Sequence, residues 1–123
     1  MVKQGARRGD PPLPSATVIV RGDLLDPEML AESAERNFAA YGFYVFAETT
    51  GVAWVELAGT RFKGAAWIVL FTAGDLVDAG MELWDTRLAP HYDVVHDNRD
   101  ELVARMLGTT HRVVPNPHFE PGG

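Results

Sequence analysis

His91, Tyr92, Asp93 and His96 form the densest polar cluster in the chain. On a β-strand, residues two apart share a face. His91 and Asp93 are therefore expected to point together, with Tyr92 and His96 on the opposite side. A carboxylate beside an imidazole fixes its tautomer and raises its basicity, so the pair is a candidate general base. The two histidines fall on opposite faces and cannot jointly hold one metal, and no metal site is expected. The plain alternative is a polar outer face on a half-buried strand. Tyr92 and Val94 then turn to the core, and His91 and Asp93 turn towards solvent or a cleft.

Arg21 closes an apolar run and precedes Gly22. A guanidinium at a strand end can grip a phosphate or carboxylate with two parallel hydrogen bonds. The glycine beside it would admit a ligand close to the backbone. The alternative is a surface arginine in a turn, paired with Asp23. Glu48, Thr49 and Thr50 leave the end of a second apolar run, and such ends often line sites in open sheets. Their alternative is a polar turn in which one threonine caps the helix that follows. Tyr41, Phe43, Tyr44 and Phe46 are dense enough to be core. Any of them left exposed, Tyr44 above all, would mark a binding patch.

Val20-Arg21-Gly22, Asp26-Pro27-Glu28, Tyr41-Gly42-Phe43-Tyr44, Thr72-Ala73-Gly74-Asp75-Leu76 with Ala79-Gly80, and Pro90-His91-Tyr92 together resemble a family of small actinobacterial proteins. The resemblance spans most of residues 18 to 118, implies no activity and carries over no catalytic residue. A weaker likeness is to ADP-ribosyltransferase-like toxins. There an arginine ends the first core strand, a Ser/Thr-rich strand follows, and a glutamate completes the site. Arg21, Thr49 with Thr50, and Glu82 would stand in those places. The serine of the usual motif is missing, and the context of Glu82 departs from the pattern.

No phosphate-binding loop, dinucleotide fingerprint, nucleophile elbow or metalloprotease motif occurs. No cofactor is implied. The chain has no cysteine, so disulfides, thiolate metal sites and cysteine nucleophiles are excluded. With 123 residues, 46% of them hydrophobic, it has the size and apolar content of one ordinary domain. The net charge of −6 argues against non-specific binding to nucleic acid or anionic membrane. No apolar run approaches the ~20 residues of a membrane span. Residues 1–15 are polar and proline-rich without a secretory apolar segment, which makes the cytoplasm the expected location. Nine arginines against two lysines, with abundant alanine, suggest a high-GC bacterial origin.

These residues need elements to position them. Residues 1–15 read as a disordered arm, 16–114 as one domain, and 115–123, rich in proline and glycine, as a loose tail. Residues 17–20 form a β-branched strand. Asp26 then caps a helix with Pro27 at its first position, and Leu25 and Leu30 are spaced as a hydrophobic staple. Leu30, Ala34, Phe38 and Tyr41 carry that helix to a stop at Gly42. Residues 43–47 and 66–71 are continuous apolar runs, hence central strands. Residues 52–58 form a short helix or turn closed by Gly59. Thr72 with Asp75 opens a short helix ending at Gly80, and Asn98 with Glu101 opens a longer one ending at Gly108. Residues 81–84 and 91–96 form a hairpin pair, and 111–114 a last strand. The first strand, helix and second strand have the length of a parallel crossover. The sum is an α+β domain: a mixed β-sheet of about five or six strands with two main helices and two short ones. The expected core is Val18, Val20, Leu30, Phe38, Val45, Trp67, Val69, Phe71, Val94, Leu102 and Met106.

Two functions fit this reading. One is a non-catalytic interaction module, half of a two-gene pair, whose partner is another protein or a second copy of the chain. It requires an exposed apolar patch. The other is a toxin-like enzyme acting on RNA or a nucleotide, of the ADP-ribosyltransferase-like or ribonuclease kind. It requires Arg21, His91 and Asp93 to meet in one cleft, and the acidic balance counts against it.

Overall fold

Four strands with apolar residues on both alternations stand side by side, because only a central strand has two faces to bury. In the computed structural model, which describes residues 7–8, 13–33, 35–37, 40–48, 52–88 and 90–120, the strands are β1 (Arg7–Arg8), β2 (Val18–Gly22), β3 (Glu35–Asn37), β4 (Ala40–Ala47), β5 (Trp67–Thr72), β6 (Glu82–Leu88), β7 (His91–His96) and β8 (Arg112–Pro115). The helices are α1 (Pro27–Ser33), α2 (Trp54–Arg61), α3 (Ala73–Asp78) and α4 (Arg99–Gly108). The strands lie in the order β1-β6-β7-β4-β2-β5-β8, with β3 hairpinned onto the start of β4. The α+β class is as expected.

Every described strand pair is antiparallel. The first unit is therefore not a parallel crossover. β2 and β4 are antiparallel neighbours, pairing Ile19 with Ala47 and Val20 with Phe46. A short excursion suffices between antiparallel strands, and α1 is correspondingly brief.

The register divides the side chains into two layers. Ile19, Phe43, Val45, Val69, Phe71 and Val94 face α1, α3 and α4, where Leu30, Leu76, Leu102 and Met106 close the main core. Val20, Phe46, Ile68 and Leu70 face α2 and pack on Leu57, Ala58 and Phe62. Three local signals hold as read. Asp26 Oδ1 accepts the N–H groups of Glu28 and Met29, Thr72 Oγ1 that of Asp75, and Asn98 Oδ1 that of Glu101.

Other expectations change. α1 ends at Ser33, and Tyr41 and Gly42 belong to β4. β2 pairs with β4 only at residues 46 and 47, so the first half of β4 needs another neighbour, and residues 35–37 supply it. Phe38 lies outside the described residues. Trp67 is 44% exposed at the entry to β5, and Val18 is only partly buried. Ile19, not anticipated as core, is fully buried. α2 runs through Gly59 to Arg61.

The segment after residue 114 is not loose as far as residue 120. Asn116 is buried, its Nδ2 donates to the carbonyls of Phe62 and Ala65, and Glu120 N donates to Lys63 O. Within the expected arm, Arg7 and Arg8 pair with Asp85 and Trp84 of β6. No helix among the described residues is long and apolar enough to cross a membrane.

Candidate functional site

Arg21 leaves β2 where that strand and β4 cease to pair, so its side chain has room beside β4. Nη1 donates to the Tyr44 carbonyl at 3.0 Å. The guanidinium carbon lies 5.1 Å from the centre of the Phe43 ring and 5.5 Å from that of Tyr44. Burial lowers the Arg21 pKa from the ordinary arginine value, and the nearby Tyr44 and Asp23 oppose the shift. This is a partly desolvated cation resting on two aromatic rings, not a surface arginine in a turn.

A cleft of about 220 Å³ opens beside it, lined by Arg21, Gly22, Asp23, Leu24, Asp26, Met29, Leu30, Tyr44 and Phe62. Gly22 serves packing rather than ligand approach: a Cβ there would sit 2.5 Å from Phe62 Cδ1. Asp23 has φ +71°, a left-handed conformation that aspartate tolerates better than most residues. Its N–H bonds to Trp67 O. The turn throws Leu24 outward. Leu24 is 53% exposed, Met29 57% and Tyr44 50%. Three large apolar side chains thus stand around one opening.

Of the histidine–aspartate pair expected to face solvent or a cleft, His91 is partly exposed but Asp93 is not. Asp93 is buried, as are both Val94 and Val95. β7 is central, between β6 and β4, and both of its faces are covered. Tyr92 and Val94 do turn to the main core, and the opposite face, with Asp93 on it, is covered as well. Asp93 lies directly across from Tyr44 on β4 and Trp84 on β6. Trp84 Nε1 is buried and has no hydrogen-bond partner among the described residues. His91 is partly buried. Its ring stacks on Tyr44 with centroids 6.0 Å apart and meets Phe46 edge-to-face at 5.4 Å. Tyr44 is thus the hub: Arg21 and His91 lie against its ring, and Asp93 is its cross-strand neighbour. Of these, only Arg21 and Tyr44 line the cleft.

Glu48 has a structural task. Its Oε2 accepts the N–H of Trp54 at 2.6 Å and so caps α2, whose preceding residue, Ala53, has no side-chain acceptor. Thr49 and Thr50 lie outside the described residues. Glu82 sits on β6, three strand spacings from Arg21 on β2, which is roughly 14 Å. The fold does not bring those two together. Among the described residues no group of three histidines and carboxylates could hold a metal ion.

The cleft residues overlooked in the sequence are Leu24, Met29 and Phe62. Two of them left a trace. Met29 falls between Glu28 and Leu30, off the inward stripe of α1, and Leu24 is surplus to the Leu25–Leu30 staple.

No protein-family model matches the chain, and no curated protein or solved structure is significantly similar to it.

Proposed function

We propose that the protein is a non-catalytic interaction module that docks a protein partner on the surface around the Arg21 cleft. The observation that carries this reading is the convergence of Leu24, Met29 and Tyr44, each about half exposed or more, on one opening. Scattered surface apolar residues are ordinary, but a cluster rimmed by polar groups is a hallmark of interaction sites. Tyrosine, methionine and arginine are also the residue types enriched at interfaces. In a bacterial cytoplasm, such a partner would be the product of a paired gene.

The competing reading is an enzyme acting on RNA or a nucleotide. In its favour, Arg21 and His91 both lie against the Tyr44 ring. Against it, Asp93 is buried and neither it nor His91 lines the cleft.

Co-purification from the native host, followed by mass spectrometry, tests the choice. The expected result is a protein that accompanies the natural chain and is lost with Met29→Asp. A partner retained by Met29→Asp would place the interface elsewhere. A bound nucleotide or RNA in its stead would favour the enzyme.

A further inference from the structure

The apolar opening is set in an acidic surround. From residue 22 to residue 33 the chain carries four carboxylates and no lysine or arginine. All four, Asp23, Asp26, Glu28 and Glu32, are exposed. Asp23 and Asp26 line the cleft itself. Glu28 adjoins Met29, and Glu32 stands three residues beyond it, the spacing of neighbours on a helix surface. The one cation among the described residues lining the cleft, Arg21, is drawn down onto the Phe43 and Tyr44 rings and bound to the Tyr44 carbonyl. A partner approaching this face therefore meets apolar side chains first and negative charge around them.

We infer that the Leu24–Met29–Tyr44 surface receives a cationic, amphipathic peptide segment of a partner protein. One aliphatic side chain of that segment enters the cleft, and its lysines or arginines lie over Asp23, Asp26, Glu28 and Glu32. The inference rests on the interaction-module reading above and adds the chemistry of the partner. The cleft size fixes the anchor: about 220 Å³ is below the usual range for drug-sized ligands and suits a single side chain. The charge fixes its surroundings, because facing potentials of opposite sign speed encounter and exclude acidic competitors. The chain's net charge of −6 acts in the same direction at longer range. Amphipathic helices laid into methionine-bearing grooves use this combination of apolar anchor and charge.

The test is an NMR titration of the full chain with three peptides of about 15 residues, long enough for a helix to form on binding. One is an amphipathic leucine–lysine peptide. The second has the same pattern with glutamate for lysine, and the third is oligolysine. The leucine–lysine peptide should shift the amides of Leu24, Met29, Leu30 and Tyr44, and its binding should weaken as salt is raised. Oligolysine should bind at least tenfold more weakly, and the leucine–glutamate peptide should leave those amides unmoved. The double substitution Glu28→Lys with Glu32→Lys should weaken the leucine–lysine peptide at least tenfold, and Met29→Asp should abolish its effect.

Equal effects of the lysine and glutamate peptides at these residues would overturn the inference about charge while leaving the interface reading intact. Oligolysine as strong as the leucine–lysine peptide would overturn the apolar anchor. No shift at these residues with any peptide would overturn the inference as a whole. Self-association through this surface, seen by sedimentation and lost in Met29→Asp, would replace the partner with a second copy of the chain. Shifts at these residues caused by an RNA oligonucleotide would overturn the interface reading as well.

Discussion

Arg21 balances two opposed terms. Burial disfavours its charge, so its folded pKa lies below that of the unfolded chain. A base with a lowered folded pKa destabilises the fold at every pH below that value, and the penalty fades only in strongly alkaline solution. Its hydrogen bond to Tyr44 O and its contacts with two rings offset that penalty. Arg21→Met, which keeps the stem and removes the charge, should therefore stay within about 1 kcal/mol of the natural chain in urea unfolding. Arg21→Ala should cost about 2 kcal/mol, because packing and the charged hydrogen bond go together. Gly22 presents a sharper case. Gly22→Ala drives a methyl group into the Phe62 ring, an overpacking expected to cost about 1–3 kcal/mol. The same substitution made beside Phe62→Leu should cost visibly less. An unchanged cost in that double-mutant cycle would sink the steric account.

Among the elements, α2 shows how a helix can depend on a distant cap. Glu48 reaches from the end of β4 to the Trp54 N–H, where no side chain of the preceding loop residue serves. Glu48→Ala should cost about 1 kcal/mol, as loss of a cap does, with faster hydrogen exchange confined to the first turn of α2. β8 is secured in a similar way. Asn116 N bonds to Ala66 O, so in this register Val113 and Pro115 turn their outer edges away from β5. Pro115 has no N–H to offer there, which blunts the exposed edge against pairing with another chain. Beyond it, the Asn116 amide ties the end of the sheet to the carbonyls of Phe62 and Ala65. Asn116→Ala leaves both carbonyls without that donor inside the fold. It should lower stability by about 2–3 kcal/mol in a denaturant titration. A loss below half a unit would mean that the segment from 115 to 120 adds nothing to the domain.

At the scale of the molecule, the sheet is a middle layer. One side carries α1, α3 and α4, and the other carries α2 over β2 and β5. Phe43 stands in the larger core at 1% exposure, and Phe43→Ala should cost about 3–5 kcal/mol. Met29→Asp touches neither core and should leave stability within about 0.5 kcal/mol, so its effect on partner binding can be read without interference from folding.

The amino-acid sequence by itself determined the α+β class, β4 and β5 as central strands, and the starts of α1, α3 and α4. Those features rest on periodicity and on caps spanning three or four residues, interactions whose two ends are neighbours along the chain. The tertiary structure alone decided that Asp93 is buried, that α1 stops at Ser33, and that Glu48 is a helix cap. Each of these depends on what lies beside the segment in space. β7 has neighbours on both edges and cover on both faces, β4 needed a partner for its first half, and Trp54 comes within reach of Glu48 only after the chain has turned. The cleft belongs with them. Arg21, Met29 and Tyr44 are ordinary residues at unrelated positions, and only the parting of β2 from β4 and the left-handed turn at Asp23 set them around one opening.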